Sequence, residues 1–191
     1  VVSLGYRYVD FKTDIEAALT PKAKILVFNS PSNPTGACYS VSERDAIVKW
    51  ALDRGLFIIA DEIYDQLVYE PNKPSSIIVW WKQYPDRIAV VNGLAKSFAM
   101  TGWRVGVIIA EPEFLDVMNR INGSLVYSAP SISQRAGIQA LAMRKEIREK
   151  YVTAYRDRIF YSADRIEKIP YLSLVRPKGT FYLFPGVEKT G

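Results

Sequence analysis

The run Leu56-Phe57-Ile58-Ile59-Ala60 has none of the polar alternation that a strand wetted on one face requires. Such a strand is covered on both faces, which predicts a central position in a parallel sheet with helices above and below it. It stops at Asp61-Glu62, so it delivers two acids at its carboxyl end.

The rest of the chain extends this pattern. Lys24-Ile25-Leu26-Val27-Phe28-Asn29 is a second short apolar run. It halts at Ser30-Pro31-Ser32-Asn33-Pro34-Thr35-Gly36, where two prolines and a glycine forbid continuation of strand or helix. Between the two runs, Ser42 followed by Asp45 is a variant of the capping pattern, and Ile47, Val48, Ala51 and Leu52 form one apolar stripe, predicting a helix that ends near Gly55. Further strands are expected at Ile88–Val91 and Val105–Ala110. The alternation of strand and helix argues for an α/β fold with a mainly parallel sheet and helices on both faces. Helices are expected over Glu113–Asn122, with Phe114, Val117, Met118 and Ile121 on one face, over Ser131–Met143, and over Lys145–Lys168 before Pro170. The last of these is long enough to bridge two lobes. Ser173–Val175 and Thr180–Phe184, around Pro177-Lys178-Gly179, read as paired strands of a second, smaller lobe, with Phe181, Tyr182 and Phe184 in its core. The division expected is residues 1–150 for a large domain and 151–191 for a connecting helix and the start of a small α+β domain.

Composition narrows the chemistry. With 49% hydrophobic residues in 191, the chain can bury a substantial core, which excludes disordered and collagen-like classes. The apolar run Ile77–Trp81 lies in an uncharged window of only Ser75–Trp81, far short of the roughly 20 residues of a membrane helix, so a soluble protein without membrane partners is expected. The net charge of +5 is spread from Arg7 to Lys189, not gathered into a nucleic-acid-binding arm. Cys38 is the only cysteine and there is no histidine. An internal disulfide, a Cys/His zinc site and any His-dependent nucleophilic triad are therefore excluded, and no metal site is expected. Cys38 reads as a small buried apolar group. Chemistry must come from Lys, Tyr, Asp, Glu or a cofactor.

In open parallel sheets, ligands sit outside the carboxyl ends of the strands. Asn33 follows one strand, Asp61 the next with Tyr64 one helical turn on, and Lys96 and Arg104 follow a third, so one crevice can collect all five. Lys96 is flanked by Gly93, Leu94, Ala95, Ser97 and Phe98 with no neighbouring acid. That setting favours a partly desolvated, neutral amine, the form that makes Schiff bases. An aldehyde cofactor with a ring nitrogen, pyridoxal 5'-phosphate, then needs a carboxylate for the pyridinium, hydrogen-bond donors for the phenolic oxygen and a cation for the phosphate. Asp61, then Asn33 with Tyr64, then Arg104 match that list. Bland roles compete: Asp61 as a helix cap, Asn33 as turn chemistry, Tyr64 as a half-buried tyrosine, Arg104 as a structural bridge to Asp61 or Glu62.

Four motifs occur in order: Asn29-Ser-Pro-Ser-Asn-Pro-Thr-Gly36, Ala60-Asp-Glu-Ile-Tyr64, Asn92-Gly-Leu-Ala-Lys-Ser-Phe-Ala-Met-Thr-Gly-Trp-Arg-Val-Gly106 and Lys178-Gly-Thr-Phe-Tyr-Leu-Phe-Pro185. On these the chain resembles the fold-type I pyridoxal phosphate enzymes, specifically class I aminotransferases of the prokaryotic aspartate aminotransferase type. The resemblance implies an aspartate aminotransferase-like large domain and an enzyme of amino acid metabolism. It implies transfer of an amino group from an amino acid, aspartate foremost, to a 2-oxo acid. Lys96 would be the Schiff-base lysine and proton carrier, with Asp61, Tyr64, Asn33 and Arg104 in the roles given above. Ala95 stands where many relatives carry Ser, so one hydroxyl near the phosphate is absent. The resemblance also implies a cytoplasmic homodimer at full length. The chain starts Val1-Val2-Ser3 and stops at Gly191 after a strand-like segment, and it reads as a fragment. By comparison with the family it lacks the phosphate-cradling loop, the ring-stacking aromatic and the small-domain arginine, and is expected to be inactive alone. The uncharged run Ile121–Gln134, with Tyr127 and Ser128, is expected near the cofactor or the dimer seam. A carbon-sulfur lyase or synthase of the same fold, or a non-catalytic regulatory module, is the alternative.

Overall fold

The computed structural model describes residues 14–190. Arg7, the start Val1-Val2-Ser3 and Gly191 lie outside the described residues.

Three apolar runs become the parallel strands β1 (Ile25–Asn29), β2 (Phe57–Asp61) and β3 (Ile88–Gly93), and β4 (Gly106–Ile109) completes a sheet in the order β1-β2-β3-β4. In β1 and β2 the register pairs Ile25 with Phe57 and Asn29 with Asp61. β2 and β3 pair Asp61 with Val91. β4 runs antiparallel, with Gly93 opposite Gly106, so its first residues lie at the same end of the sheet as the last residues of the other three. That reversal brings the segment containing Arg104 back to the edge where Asp61 emerges.

A short helix α1 (Glu16–Ala18) precedes β1, and α2 (Val41–Asp53) connects β1 to β2. The cap of α2 is Ser40, not Ser42: the Ser40 hydroxyl accepts from the Glu43 N–H while the Glu43 side chain accepts from the Ser40 N–H. Two Ser-x-x-acid patterns overlap here, and the longer acid of the first closes the reciprocal pair. Ile47, Val48 and Ala51 turn inward and pack with Phe28, Ile58, Ala60, Ile88 and Val90 into the main core, joined by Ile77 just before α3 (Ile78–Trp81). Helices lie on both faces of the sheet, since α4 (Pro112–Leu125) stacks Phe114 on Phe57 from the opposite side at 5.4 Å between ring centroids. The stripe read for α4 is covered only there. Val117, Met118 and Ile121 are exposed.

α5 (Ser131–Ala142) and the long α6 (Arg144–Ile166) follow, and α6 leads to β5 (Ser173–Leu174). The partner of β5 is β6 (Pro185–Gly186), and not Thr180–Phe184 as the alternation of apolar residues suggested. Thr180 has a left-handed backbone (φ 67°), which breaks an extended run. Its segment bonds instead to the turn after β2, through the bridge between Val68 and Gly179. No described helix is long and apolar enough to cross a membrane.

Candidate active site at the carboxyl end of the sheet

Asn29 ends β1 and ties two loops together. Its Oδ1 accepts from the Asn33 N–H at 2.9 Å, and its Nδ2 donates to the Asp61 carbonyl at 3.3 Å. The turn chemistry of Asn33 is thus carried by its backbone. Its own side chain is exposed and makes no hydrogen bond among the described residues. Asp61 does not cap a helix. One carboxylate oxygen accepts from the Ile63 N–H at 3.2 Å, opening a turn, and among the described residues nothing bonds the other.

Glu62, adjacent to Asp61, points away and is structural. Its carboxylate accepts from the Ser76 hydroxyl and the Ile77 N–H, each at 2.6 Å, and burial holds its pKa above the ordinary carboxylate value. The alternation of the strand thus assigns the two acids different work.

Tyr64 is buried, and its hydroxyl lies 2.8 Å from that of Tyr182. Burial first, then the Tyr182 hydroxyl and the negative charge of Asp61, push its pKa up, so the phenol stays protonated over the physiological range. Lys96 is half-buried, with Nζ 5.8 Å from the centroid of the Tyr64 ring and 5.4 Å from that of Phe181. Among the described residues it has no counter-ion. Its nitrogen is therefore not tied up in an ion pair.

The structure therefore brings Asn33, Asp61, Tyr64 and Lys96 to one edge. Arg104 joins them less directly. Its neighbour Val105 accepts from the Leu94 N–H, two residues before Lys96, and its own guanidinium donates to the Thr101 carbonyl at 3.1 Å. It is exposed and pairs with neither Asp61 nor Glu62 among the described residues, so a bridge to those acids is not its role. It too has a left-handed backbone (φ 54°).

Phe181 and Tyr182 correct the sequence reading, which placed them in the core of a second lobe. Both pack edge-on against Tyr64, at 5.5 and 5.8 Å. They are held there by a backbone strap. The N–H groups of Lys178 and Gly179 donate to the Gly36 carbonyl, the Tyr69 N–H donates to the Lys178 carbonyl, and the Thr180 N–H donates to the Leu67 carbonyl. The Tyr69 hydroxyl donates to the Thr180 carbonyl. Gly36 permits the approach: a Cβ there would lie 2.3 Å from Pro177 Cβ, and its φ is +69°. The one signal in the sequence was that this tail belongs to a motif that carries the family resemblance. Cys38 lies beside the strap, and burial raises its thiol pKa to about 12, which leaves it unreactive.

The donor set fits pyridoxal phosphate. A carboxylate with one unbonded oxygen, a phenol with its proton, an amine without a counter-ion and a guanidinium without a carboxylate gather here, with no ion pair among them. An aromatic ligand with a ring nitrogen, a phenolic oxygen, an aldehyde and a phosphate offers a partner for each.

Comparison with known proteins agrees. The family described as aminotransferase class I and II matches residues 6–190. An asparagine–oxo-acid transaminase of Streptococcus mutans is 37% identical over 175 residues, covering 92% of this chain and 44% of the relative. An aspartate aminotransferase of Geobacillus stearothermophilus is 34% identical, with the same coverage of both chains. Among solved structures, an aspartate aminotransferase double mutant of Thermus thermophilus aligns with a TM-score of 0.83 at 34% identity, covering 92% of this chain and 45% of that one. The aspartate aminotransferase of Rhizobium meliloti aligns with a TM-score of 0.87 at 27% identity, covering 97% and 46%. The chain thus spans less than half the length of these relatives. Class I aminotransferases depend on pyridoxal phosphate. With the family match over nearly its whole length and the aspartate aminotransferase fold, this chain belongs to the class I and II aminotransferases.

Proposed function

We propose that the protein carrying this chain is a pyridoxal phosphate-dependent transaminase, which moves an amino group from an amino acid, aspartate foremost, to a 2-oxo acid. One observation carries the reading: Lys96, without a counter-ion, stands over Tyr64 at the strand end that also presents Asp61. The names of the relatives support the donor, since they are aspartate and asparagine transaminases.

When bound, pyridoxal phosphate supplies an aldehyde for attachment and a protonated ring that withdraws electrons from the substrate α-carbon. Lys96 Nζ would hold the cofactor through its aldehyde and would accept the proton of the substrate α-carbon. Asp61, through its unbonded oxygen, holds a proton on the ring nitrogen. Tyr64 Oη and the Asn33 amide orient the phenolic oxygen by donating to it. Arg104 binds the phosphate with a planar fork that a lysine cannot supply. The substrate carboxylate has no assigned partner among the described residues.

The large domain is taken to occupy residues 1–150, with residues 151–191 forming the connecting helix and the start of a small domain. A homodimer is the proposed assembly, supported by the apolar surface of Ile121, Leu125, Val126, Tyr127 and Ile132, of which Tyr127 is 85% exposed. The cytoplasm, where amino and 2-oxo acids are abundant, is the proposed location.

Product analysis tests the reaction. The holoenzyme, loaded with pyridoxal phosphate and given aspartate without an acceptor, is expected to release one equivalent of 2-oxo acid and retain the aminated cofactor. Release of a cleaved side chain would identify a lyase or synthase instead, and no product from any amino acid would favour a non-catalytic module.

A further inference from the structure

Tyr182 lies on the strap, more than a hundred residues beyond Tyr64, yet its hydroxyl is 2.8 Å from the Tyr64 hydroxyl. The contact is not an accident of a mobile tail. Thr180, two residues earlier, is fully buried, and its N–H and carbonyl are bonded to Leu67 and Tyr69. The Thr180 side chain accepts in turn from the Tyr182 N–H at 3.3 Å. Both tyrosine rings and Phe181 pack together, with Phe181 and Tyr182 4.8 Å apart. The position of the Tyr182 oxygen is therefore fixed by the same junction that joins the loop of Asn33 to the turn of Tyr64.

A phenol has one proton to give and lone pairs with which to accept. Tyr64 can donate to only one partner. If it gives its proton to the phenolic oxygen of the cofactor, its hydroxyl contact with Tyr182 must run the other way, with Tyr182 as donor. Each donor in such a chain strengthens the next. We propose that Tyr182 is a positioning residue: it donates to Tyr64 Oη, frees the Tyr64 proton for the cofactor oxygen, and so links the strap to the electronic state of the cofactor. This rests on the reading of Lys96 and Tyr64 given above, and it adds a residue that acts through Tyr64 without touching the substrate.

The consequence has a sign. Donation to the phenolic oxygen draws off negative charge and makes the nitrogen at the Lys96 attachment less basic. Removing the Tyr182 hydroxyl weakens that donation, and the nitrogen becomes more basic.

The test uses the holoenzyme and reads the pH at which the absorbance of the bound cofactor changes. Tyr182→Phe keeps the ring and its packing and is expected to raise that midpoint by about half a pH unit. Tyr64→Phe is expected to raise it further, and in the Tyr64→Phe background the added Tyr182→Phe change should have no effect, because the link is already cut. An unchanged midpoint in Tyr182→Phe, or the same shift with and without Tyr64, would overturn the proposal. Failure of the underlying reading looks different: the unaltered holoenzyme would then carry no cofactor on Lys96, and the proposal would fall with it before any variant is compared.

Discussion

The two faces of the four-stranded sheet are built from the same kinds of residue and end in different states. On the face covered by α2, Ile58 and Ile88 are wholly buried and Phe28 and Val90 nearly so. On the other, Ala89 of β3 is buried and Phe114 stacks on Phe57, but at the β1 edge Ile25 is 55% and Val27 65% exposed. β1 carries the unbroken apolar pattern of two-sided burial, but the described residues complete its burial on one side only. Apolar pattern thus reports which surfaces a strand is made to bury, and the residues at hand decide which of them are buried. The candidate site sits where this difference matters least, at the strand ends, held by backbone and side-chain hydrogen bonds instead of by either face.

The sharpest way to break this comparison is to truncate one residue on each face. Ile58→Ala is expected to cost about 2–5 kcal/mol of stability in urea denaturation, because it opens a cavity in the closed core, whereas Val27→Ala should stay within about 0.5 kcal/mol. Equal losses would mean that the faces are equivalent in solution. Next in size is Gly36→Ala, where the new Cβ meets Pro177 in a left-handed backbone conformation. A loss of about 1–3 kcal/mol is expected from strain and overpacking, together with freer exchange of the Thr180 amide, which a hydrogen-exchange experiment reads. An unperturbed Thr180 amide would show that the strap does not depend on this approach. Ser40→Ala removes the cap of the helix that closes the buried face, and a loss of about 1 kcal/mol should appear, against no change for Ser42→Ala.

The smallest effect is a slope. Burial keeps the Glu62 carboxyl above its ordinary 4.5, so in the window above that value the folded chain binds more protons than the unfolded one. Its contribution to stability is full below about pH 4.5 and is lost as the pH rises through the raised pKa. Glu62→Gln should flatten that fall, in denaturation curves collected across the window. A difference between variant and parent that is constant with pH would show that Glu62 is not the group responsible.

Much of this architecture was legible in the residues. The three parallel strands are apolar runs without polar alternation in the sequence, and the carboxyl ends of the first two follow from the prolines after Asn29 and the acids after Ala60. That Asn33, Asp61, Tyr64 and Lys96 would gather at one edge was readable because each follows such a strand within a few residues. What stayed hidden depended on partners distant in sequence. The reversal of β4 is a pairing choice between Gly93 and Gly106 that no local period announces. The tail reads as a strand because Thr180–Phe184 is apolar and β-forming, yet the Val68–Gly179 bridge and the left-handed Thr180 redirect it to the site. Phe181 and Tyr182 were missed for that reason, and the cap of α2 because two overlapping patterns satisfied the same spacing.

The central claim is that these strand ends form one cofactor site around a single lysine. It is tested most directly by loading the holoenzyme with pyridoxal phosphate, making the attachment permanent with borohydride and mapping the labelled peptide by mass, with Lys96→Ala as control. The account predicts one adduct, on Lys96, absent from the control. Adducts scattered over several lysines, or one that survives in Lys96→Ala, would contradict it.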